Sequence, residues 1–362
     1  LDHFSGRRRD LLSDGSETPS IGPPGDLRVS PLLAIPALLT ARGVDPALAF
    51  ARAGVDVRIF ERPDNRISFE AGGRLLSVCA DLTDCRHFGL LLSDHFDLGG
   101  LGPIGSLMRH SACVGDALQV LLRHFHLHDR GAAPVLLRPD ASIVVFGYSI
   151  FRDGVEGISQ VHAAAIAIAF TFLRELCGPA FEPLRVQFAF SRPADIAPHG
   201  RMFRCALAFD ADISAIVFDS KWLAHPLGGA DPALRLRLQR QILEAEALGP
   251  ILFGERVASA LHQLVLNGDA SSAKVAALFE IHERTVRRRL SEEGKSLREL
   301  VGQTRYELAR QLLINTAMPV TNIAAALHYD DANAFSRAFR SWASLSPAQW
   351  RALNRRRSAA RP

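Results

Sequence analysis

His124, His126 and His128 alternate with apolar residues and run directly into Asp129. On an extended strand this spacing sets three imidazoles on one side, a ligand set that a metal sensor or metal-dependent enzyme could use with the adjacent carboxylate. Upstream, Leu118, Leu121, Leu122 and Phe125 follow helical spacing, and at the end of a helix the three rings diverge. A polar helix end is the ordinary outcome of such a pattern, so the histidine cluster stands as the alternative reading. Cys79, Cys85, Cys113, Cys177 and Cys205 are odd in number and form no close pair, which suits reduced thiols. Cys113 and Cys177 fall in apolar helical stretches and read as packing residues. The sequence contains no glycine-rich phosphate loop, nucleophile elbow or carboxylate pair with catalytic spacing. Neither enzymatic activity nor a cofactor is expected.

Two diverged copies of one pattern lie near the C-terminus. Val275-Ala276-Ala277-Leu278-Phe279-Glu280-Ile281 leads into Glu283-Arg284-Thr285-Val286-Arg287-Arg288-Arg289-Leu290, and Ile323-Ala324-Ala325-Ala326-Leu327-His328-Tyr329 leads into Ala332-Asn333-Ala334-Phe335-Ser336-Arg337-Ala338-Phe339. In each, a short helix with small residues at its middle meets a tight turn. A second helix follows, with apolar residues four apart: Val286 and Leu290, then Phe335 and Phe339. That spacing buries one face and leaves the other free to enter a DNA groove. Between the copies, residues 296–315 form an amphipathic stretch whose Ser296 and Glu299 suit a capping box. Leu297, Leu300, Val301, Leu308, Leu312 and Leu313 approximate its apolar stripe. A rigid connector of this kind fixes the relative placement of two reading helices. Ser346-Pro347 then starts a last short helix carrying Trp350 and Leu353.

Charge is concentrated in the same region. Residues 253–362 hold 17 Lys and Arg against 10 Asp and Glu, a net of +7, whereas the rest of the chain holds 25 against 28, a net of −3. A basic run alone is more often a solvated helix face than a nucleic-acid site. Its coincidence with a paired helix-turn-helix pattern favours contact with phosphates.

Residues 253–354 resemble the DNA-binding domain of the AraC/XylS family of bacterial transcription regulators. The resemblance is carried by Arg284-Thr285-Val286-Arg287-Arg288-Arg289-Leu290, Arg305-Tyr306-Glu307-Leu308-Ala309, Ala334-Phe335-Ser336-Arg337-Ala338-Phe339 and Ser346-Pro347. It implies two reading helices on one linker helix, inserted into successive major grooves of double-stranded promoter DNA. It also implies that Arg284, Thr285, Arg287 and Arg288 face the groove in the first unit, and Asn333, Ser336 and Arg337 in the second. Arginine can make bidentate contacts to guanine and asparagine to adenine, and arginine or serine can instead hold phosphate. Arg289, next to a core leucine, reads as solvent-facing or phosphate-contacting; for Arg337, helix support and phosphate contact compete with base readout. The chain departs from the family at the turn position usually held by glycine, which is Glu280 in the first unit and His328 in the second. A left-handed backbone there costs a non-glycine residue roughly 1 kcal/mol.

The elements upstream mix helices and strands, and 48% apolar residues over 362 support a second, sizeable core. Residues 31–53 have helical character interrupted at Pro36 and Pro46, and 107–126 read as one helix. Residues 135–137 and 142–150 read as a hairpin turning at Arg138-Pro139-Asp140-Ala141, and 161–176 as a continuously apolar helix. Strands follow near 184–190, 204–209 and 215–218. The apolar stretch 163–173 is too short to span a bilayer and suits a core helix. Phe88-Gly89-Leu90, Leu101-Gly102-Pro103-Ile104-Gly105, Gly115-Asp116-Ala117-Leu118, and Ala215-Ile216-Val217-Phe218 leading to Trp222-Leu223 resemble the ligand-binding N-terminal domain of one branch of the same family. That branch has the arabinose-binding-like type seen in ornithine-utilisation and virulence regulators. It implies a small-molecule effector of unnamed identity and admits a homodimer and RNA polymerase as partners.

The expected layout is an α+β sensor domain followed by an all-α domain of two helix-turn-helix units joined by a long linker helix. Its expected segments are a disordered tail over 1–28 that includes Gly6-Arg7-Arg8-Arg9, an effector-binding and dimerisation domain over 29–228, a helical connector over 229–252, the DNA-binding domain over 253–354 and a basic tail over 355–362. With no signal peptide or membrane span expected, the reading is a cytoplasmic regulator.

Overall fold

The computed structural model describes residues 26–359, apart from 151, 153, 154, 230, 249–251 and 280. The chain enters through β1 (Asp26–Arg28), which pairs antiparallel with β2 (Arg66–Ser68). Residues 26–28, expected within a tail, thus form a strand; the rest of the expected tail, with its Gly6-Arg7-Arg8-Arg9 run, lies outside the described residues. Between these strands lie α1 (Ile35–Thr40) and α2 (Pro46–Ala53). Pro36 and Pro46 occupy the first turns of α1 and α2, where a missing N–H costs nothing, so they start helices rather than interrupt one.

Next come α3 (Phe69–Leu82), α4 (Pro103–Arg109) and α5 (Val114–His124). The single helix expected over 107–126 is thus two. Backbone pairing breaks it: Val114 N donates to His225 O (3.1 Å) and Leu227 N to Ala112 O (3.1 Å). Cys113 consequently caps α5 instead of packing inside a helix. Two of the glycines that carried the N-terminal resemblance sit at close approaches. A Cβ on Gly89 would overlap Gln160 O, and one on Gly105 would overlap Leu98 O.

A five-stranded sheet follows, in the order β3 (Ala132–Leu137), β4 (Ile143–Ile150), β7 (Ser214–Asp219), β5 (Arg185–Gln187), β6 (Ala206–Ala208). Only the β5–β6 pair is parallel. The β3–β4 turn is closed by Asp140, whose Oδ1 accepts from Ser142 N and Ile143 N. Two further helices, α6 (Ile158–Cys177) and α7 (Ala197–Phe203), complete this body. At 20 residues α6 is longer than expected, and by length and composition it could cross a membrane, but two thirds of it is buried as a core helix. Leu136, Val144, Phe146, Ile216 and Phe218 share a core with α6, while Val135, Val145, Ile213 and Ala215 face the opposite side and meet Leu266. Both faces of the sheet are therefore covered, which explains why β3 and β7 read as unbroken apolar runs.

The last helices are α8 (Pro232–Leu248), α9 (Phe253–Leu266), α10 (Ser272–Leu278), α11 (Glu283–Glu292), α12 (Leu297–Asn315), α13 (Val320–Ala326), α14 (Ala332–Ala343) and α15 (Pro347–Ala359). α8, expected as a connector, docks on α4 and buries Leu238 and Ile242 in the sheet body's core. α12 joins two small cores. Leu300 belongs to the first, with Val257, Leu261, Val286 and Leu290; Leu308, Leu312 and Leu313 belong to the second, with Phe335, Phe339 and Trp350.

Candidate nucleic-acid interface and effector cavity

In the first unit α11 is capped by His282, whose Nδ1 accepts from Arg284 N (3.2 Å). Val286 and Leu290 are each 1% exposed, so the face between them is fixed against α9 and α12. Arg284, Arg287 and Arg288 are exposed and Thr285 is half-buried. Arg288 pairs with Glu292 one turn on (2.9 Å), a solvent-exposed contact that a phosphate can replace at little cost. Arg289 lies 5.4 Å over the Phe253 ring. It staples α11 to the start of α9, a role neither expectation for Arg289 included.

In the second unit Asp331 caps α14, its Oδ1 accepting from Ala334 N (2.6 Å). Phe335 and Phe339 are fully buried, and Asn333, Ser336 and Arg337 lie on the other face with Arg340. The spacing 333, 336/337, 340 continues one helical stripe, so Arg340, absent from the expected site, was visible in that periodicity. His328 adopts φ +54, the left-handed turn the family pattern implies at this position. Its Nε2 donates to Leu266 O (3.0 Å), anchoring the second turn to the end of α9. Glu280, the matching residue in the first turn, lies outside the described residues. The expected capping box forms between Ser296 and Glu299 at α12, and Ser346, expected as an N-cap, makes the same reciprocal bonds with Gln349 at α15. Of the two apolar residues on the last helix, Trp350 is buried whereas Leu353 is exposed.

The histidine run ends a helix. His124 closes α5 and a single turn spans Phe125–Leu127; the His124 and His126 rings stay together while His128 turns away, so the expected divergence of all three rings holds for His128 alone. His124 Nδ1 (3.0 Å) and His126 Nε2 (3.3 Å) both meet Glu246 Oε1 on α8. Burial raises the Glu246 pKa, but these hydrogen bonds outweigh it and hold the carboxyl well below its usual range. His128 turns inward, 3% exposed, between Phe96 and Phe125. Among the described residues no three His, Cys, Asp or Glu side chains converge on a metal position, so the geometry does not favour the metal alternative. The five cysteines are free thiols. Burial pushes Cys79 and Cys177 up to about 12, leaving them protonated and unreactive.

His128 and Asp129 instead form part of the wall of an internal cavity of about 100 Å³ in the N-terminal body. α3, α6 and β4 supply much of the remaining wall. Tyr148 Oη donates to Asp129 Oδ2 (2.5 Å), and Gly131 N donates to Oδ1 (2.7 Å). Burial raises the Asp129 pKa to about 7 against these bonds, and it depresses His128 to about 3, helped by the charges of Arg28 and Arg66. Sequence patterning singled out His128 and Asp129 for another chemistry. Tyr148 gave no signal beyond its place in a strand.

The outer face of the same sheet receives the C-terminal helices. Gln263 on α9 donates to Leu136 O (3.3 Å), Gln311 on α12 donates to Ile150 O, and Ala317 N donates to Asp210 Oδ1 (2.8 Å). β4 thus lines the cavity with Phe146, Gly147 and Tyr148 and receives α12 at Ile150.

Two helix-turn-helix units on a shared helix, fused to an α+β body with an internal cavity, define a DNA-binding transcription regulator with an attached sensor domain. The sequence profile described as the arabinose-binding domain of the AraC transcription regulator, N-terminal, matches residues 43–227, and one described as a helix-turn-helix domain matches 275–353. The chain belongs to the AraC family of transcription regulators. It is 27% identical over 317 residues to the HTH-type transcriptional regulator VirS of Mycobacterium tuberculosis, covering 87% of this chain and 93% of that one. It is also 27% identical over 318 residues to the ornithine utilization regulator of Pseudomonas aeruginosa, again covering 87% and 93%. Among solved structures it is similar to the transcriptional regulator CdpR from Pseudomonas aeruginosa, with 20% identity, a TM-score of 0.45, and coverage of 89% of this chain and 98% of that chain.

Proposed function

We propose that this regulator reads DNA through α11 and α14, and that a small molecule in the N-terminal cavity controls the reading. Arg284, Thr285, Arg287 and Arg288 contact one major groove, and Asn333, Ser336 and Arg337 the next. The sensor body spans 26–228, with α8 as a connector packed on it, and the reader occupies 253–354. The protein acts by binding, not by turnover, in the cytoplasm where its promoter DNA lies. A second copy of the chain and RNA polymerase are its protein partners.

The observation that carries the control is the double use of β4. Its residues 146–148 border the cavity, and Ile150 O receives the Gln311 amide of the helix joining both reading units. A ligand that moves Tyr148 moves the strand on which α12 rests. Such a ligand shifts DNA affinity only by its differential affinity for the two placements.

The test is binding of the full chain to intergenic DNA flanking its own gene, against scrambled competitor, at two salt concentrations. Preference for one fragment that survives the higher salt supports sequence-specific reading. Equal, salt-sensitive binding to every fragment rejects it. On the preferred fragment, Gln311→Ala should alter the response to effector while leaving effector-free affinity within about threefold. An unchanged response rejects β4 as the link.

A further inference from the structure

Resting on the effector reading above, the chemistry of the cavity wall narrows what the effector can be. Among the described lining residues only His128, Asp129 and Tyr148 bring polar side chains; no lysine, arginine or glutamate takes part. The Asp129 oxygens are already engaged by Tyr148 Oη and Gly131 N. An ammonium entering the cavity would therefore compete with bonds already made. A carboxylate would meet no cation on the wall, since Arg28 is paired with Asp64 and Arg66 donates to Leu127 O, outside the cavity lining. A buried charge without a partner is strongly disfavoured.

The polar end still has hydrogen-bonding capacity. His128 is 3% exposed and its Nδ1 has no hydrogen-bond partner, an uncommon condition for a buried nitrogen. Burial holds the ring neutral, so one nitrogen donates and the other accepts, and a hydroxyl can satisfy either tautomer. The rest of the wall is apolar. Rings of Phe96, Phe125 and Phe172 flank space left open by Ala165 and Ala169 and bordered by the Gly147 backbone. The volume, about 100 Å³, is several times the roughly 10–15 Å³ one water needs.

We propose that this cavity binds an uncharged, largely apolar molecule of about one ring in size, carrying a hydroxyl that bonds at the end formed by His128 and Tyr148. A free carboxylate is disfavoured by the same wall, and an ammonium must compete with Tyr148 and Gly131 for Asp129.

Calorimetric titration of the full-length protein with four matched probes tests this: 4-ethylphenol, ethylbenzene, 4-ethylbenzoate and 4-ethylbenzylamine. 4-Ethylphenol should bind about tenfold more tightly than ethylbenzene, one satisfied hydrogen bond's worth, and both ions should bind more weakly than the hydrocarbon. An ion that matches or exceeds the phenol overturns the proposal, as does absence of phenol binding up to its solubility. In His128→Phe the phenol's advantage should vanish while ethylbenzene still binds, and that retained binding reports an intact cavity. An undiminished advantage overturns the role of the polar end. Should His128→Phe not fold, Tyr148→Phe gives the same comparison, and Ala165→Phe should block every probe. Phenol binding that leaves operator affinity unchanged supports the ligand class while overturning the effector reading, so the two fail separately.

Discussion

Four arginines lie within six residues of α11, and they differ by what lies beneath them. Arg288 lies opposite Val286 and Leu290; Arg287 is exposed on one flank of that buried face, whereas Arg289, on the other flank, is held over Phe253. Arg287→Ala is expected to lose about 1–3 kcal/mol on the specific site and less on random DNA, in side-by-side titrations. Equal loss on both would make Arg287 a phosphate clamp. Arg289→Ala should act on the fold, lowering stability by about 0.5–1 kcal/mol through the lost cation–π contact, with an unchanged ratio of specific to random binding. Spacing in the sequence ranked these arginines by face but could not distinguish them further, because Phe253 is 36 positions away. His328 was legible as a left-handed residue from the family pattern alone; its bond to Leu266 O was not. His328→Ala keeps the strained φ and loses that bond, so denaturant unfolding should show a loss of about 1–2 kcal/mol. His328→Gly loses the bond but relieves the strain, and should stay near wild type. Equal stability of the two variants would show that strain at this turn is negligible.

At the scale of elements, local signals and tertiary pairing fare differently. The α12 capping box, the Asp140 turn and the 3.6-residue stripes of α11 and α14 depend on neighbours within a few positions, and all formed as the residues indicate. Residues 107–126 kept a helical pattern yet broke at Ser111–Cys113. The backbone there bonds to residues 225 and 227, and no periodicity within the segment carries that information. The same limit applies to the cavity. Its wall draws on many separate elements, and only His128 and Asp129 had stood out in the sequence. α12 carries both halves of the reader, so its start is a sensitive point. Ser296→Ala removes the hydroxyl's bonds to Glu299 N and Oε2 while keeping the one donated by the residue 296 backbone N–H, and should cost about 1 kcal/mol, measured by denaturant unfolding of the full chain. Because both reading units hang on this helix, the variant should also weaken specific DNA binding more than it weakens binding to random DNA. A loss confined to stability would mean that fraying at this end does not reach the reading helices.

Across the whole molecule, the N-terminal body concentrates buried ionisable groups, and they set its response to acid. Burial depresses His128 to about 3 and His162 and His199 to about 4, and raises Asp129 to about 7. For each histidine the unfolded chain takes up its proton near pH 6.5 while the folded chain refuses it. The stability from neutral, buried rings is complete above about 6.5 and is lost as pH falls towards 4. Asp129 acts in the opposite sense: its folded pKa is raised, so it costs stability as pH climbs from about 4 to 7 and returns it on acidification. Three groups oppose one, and the net effect is loss of stability below neutrality. The thermal midpoint of the full chain should therefore fall as pH drops from 7 to 5, and His162→Phe, which deletes one of the three protons without emptying its site beside Phe190, should flatten that fall. Asp129→Asn should steepen it, since the opposing group is gone. These groups all lie in the sensor body, whose sheet also supports α9 and α12. The acid transition should consequently appear first as lost effector-cavity binding and only then as lost DNA binding. A midpoint that is flat between pH 7 and 5, in wild type and variants alike, would mean that the buried rings gain proton partners the folded chain does not display at neutrality.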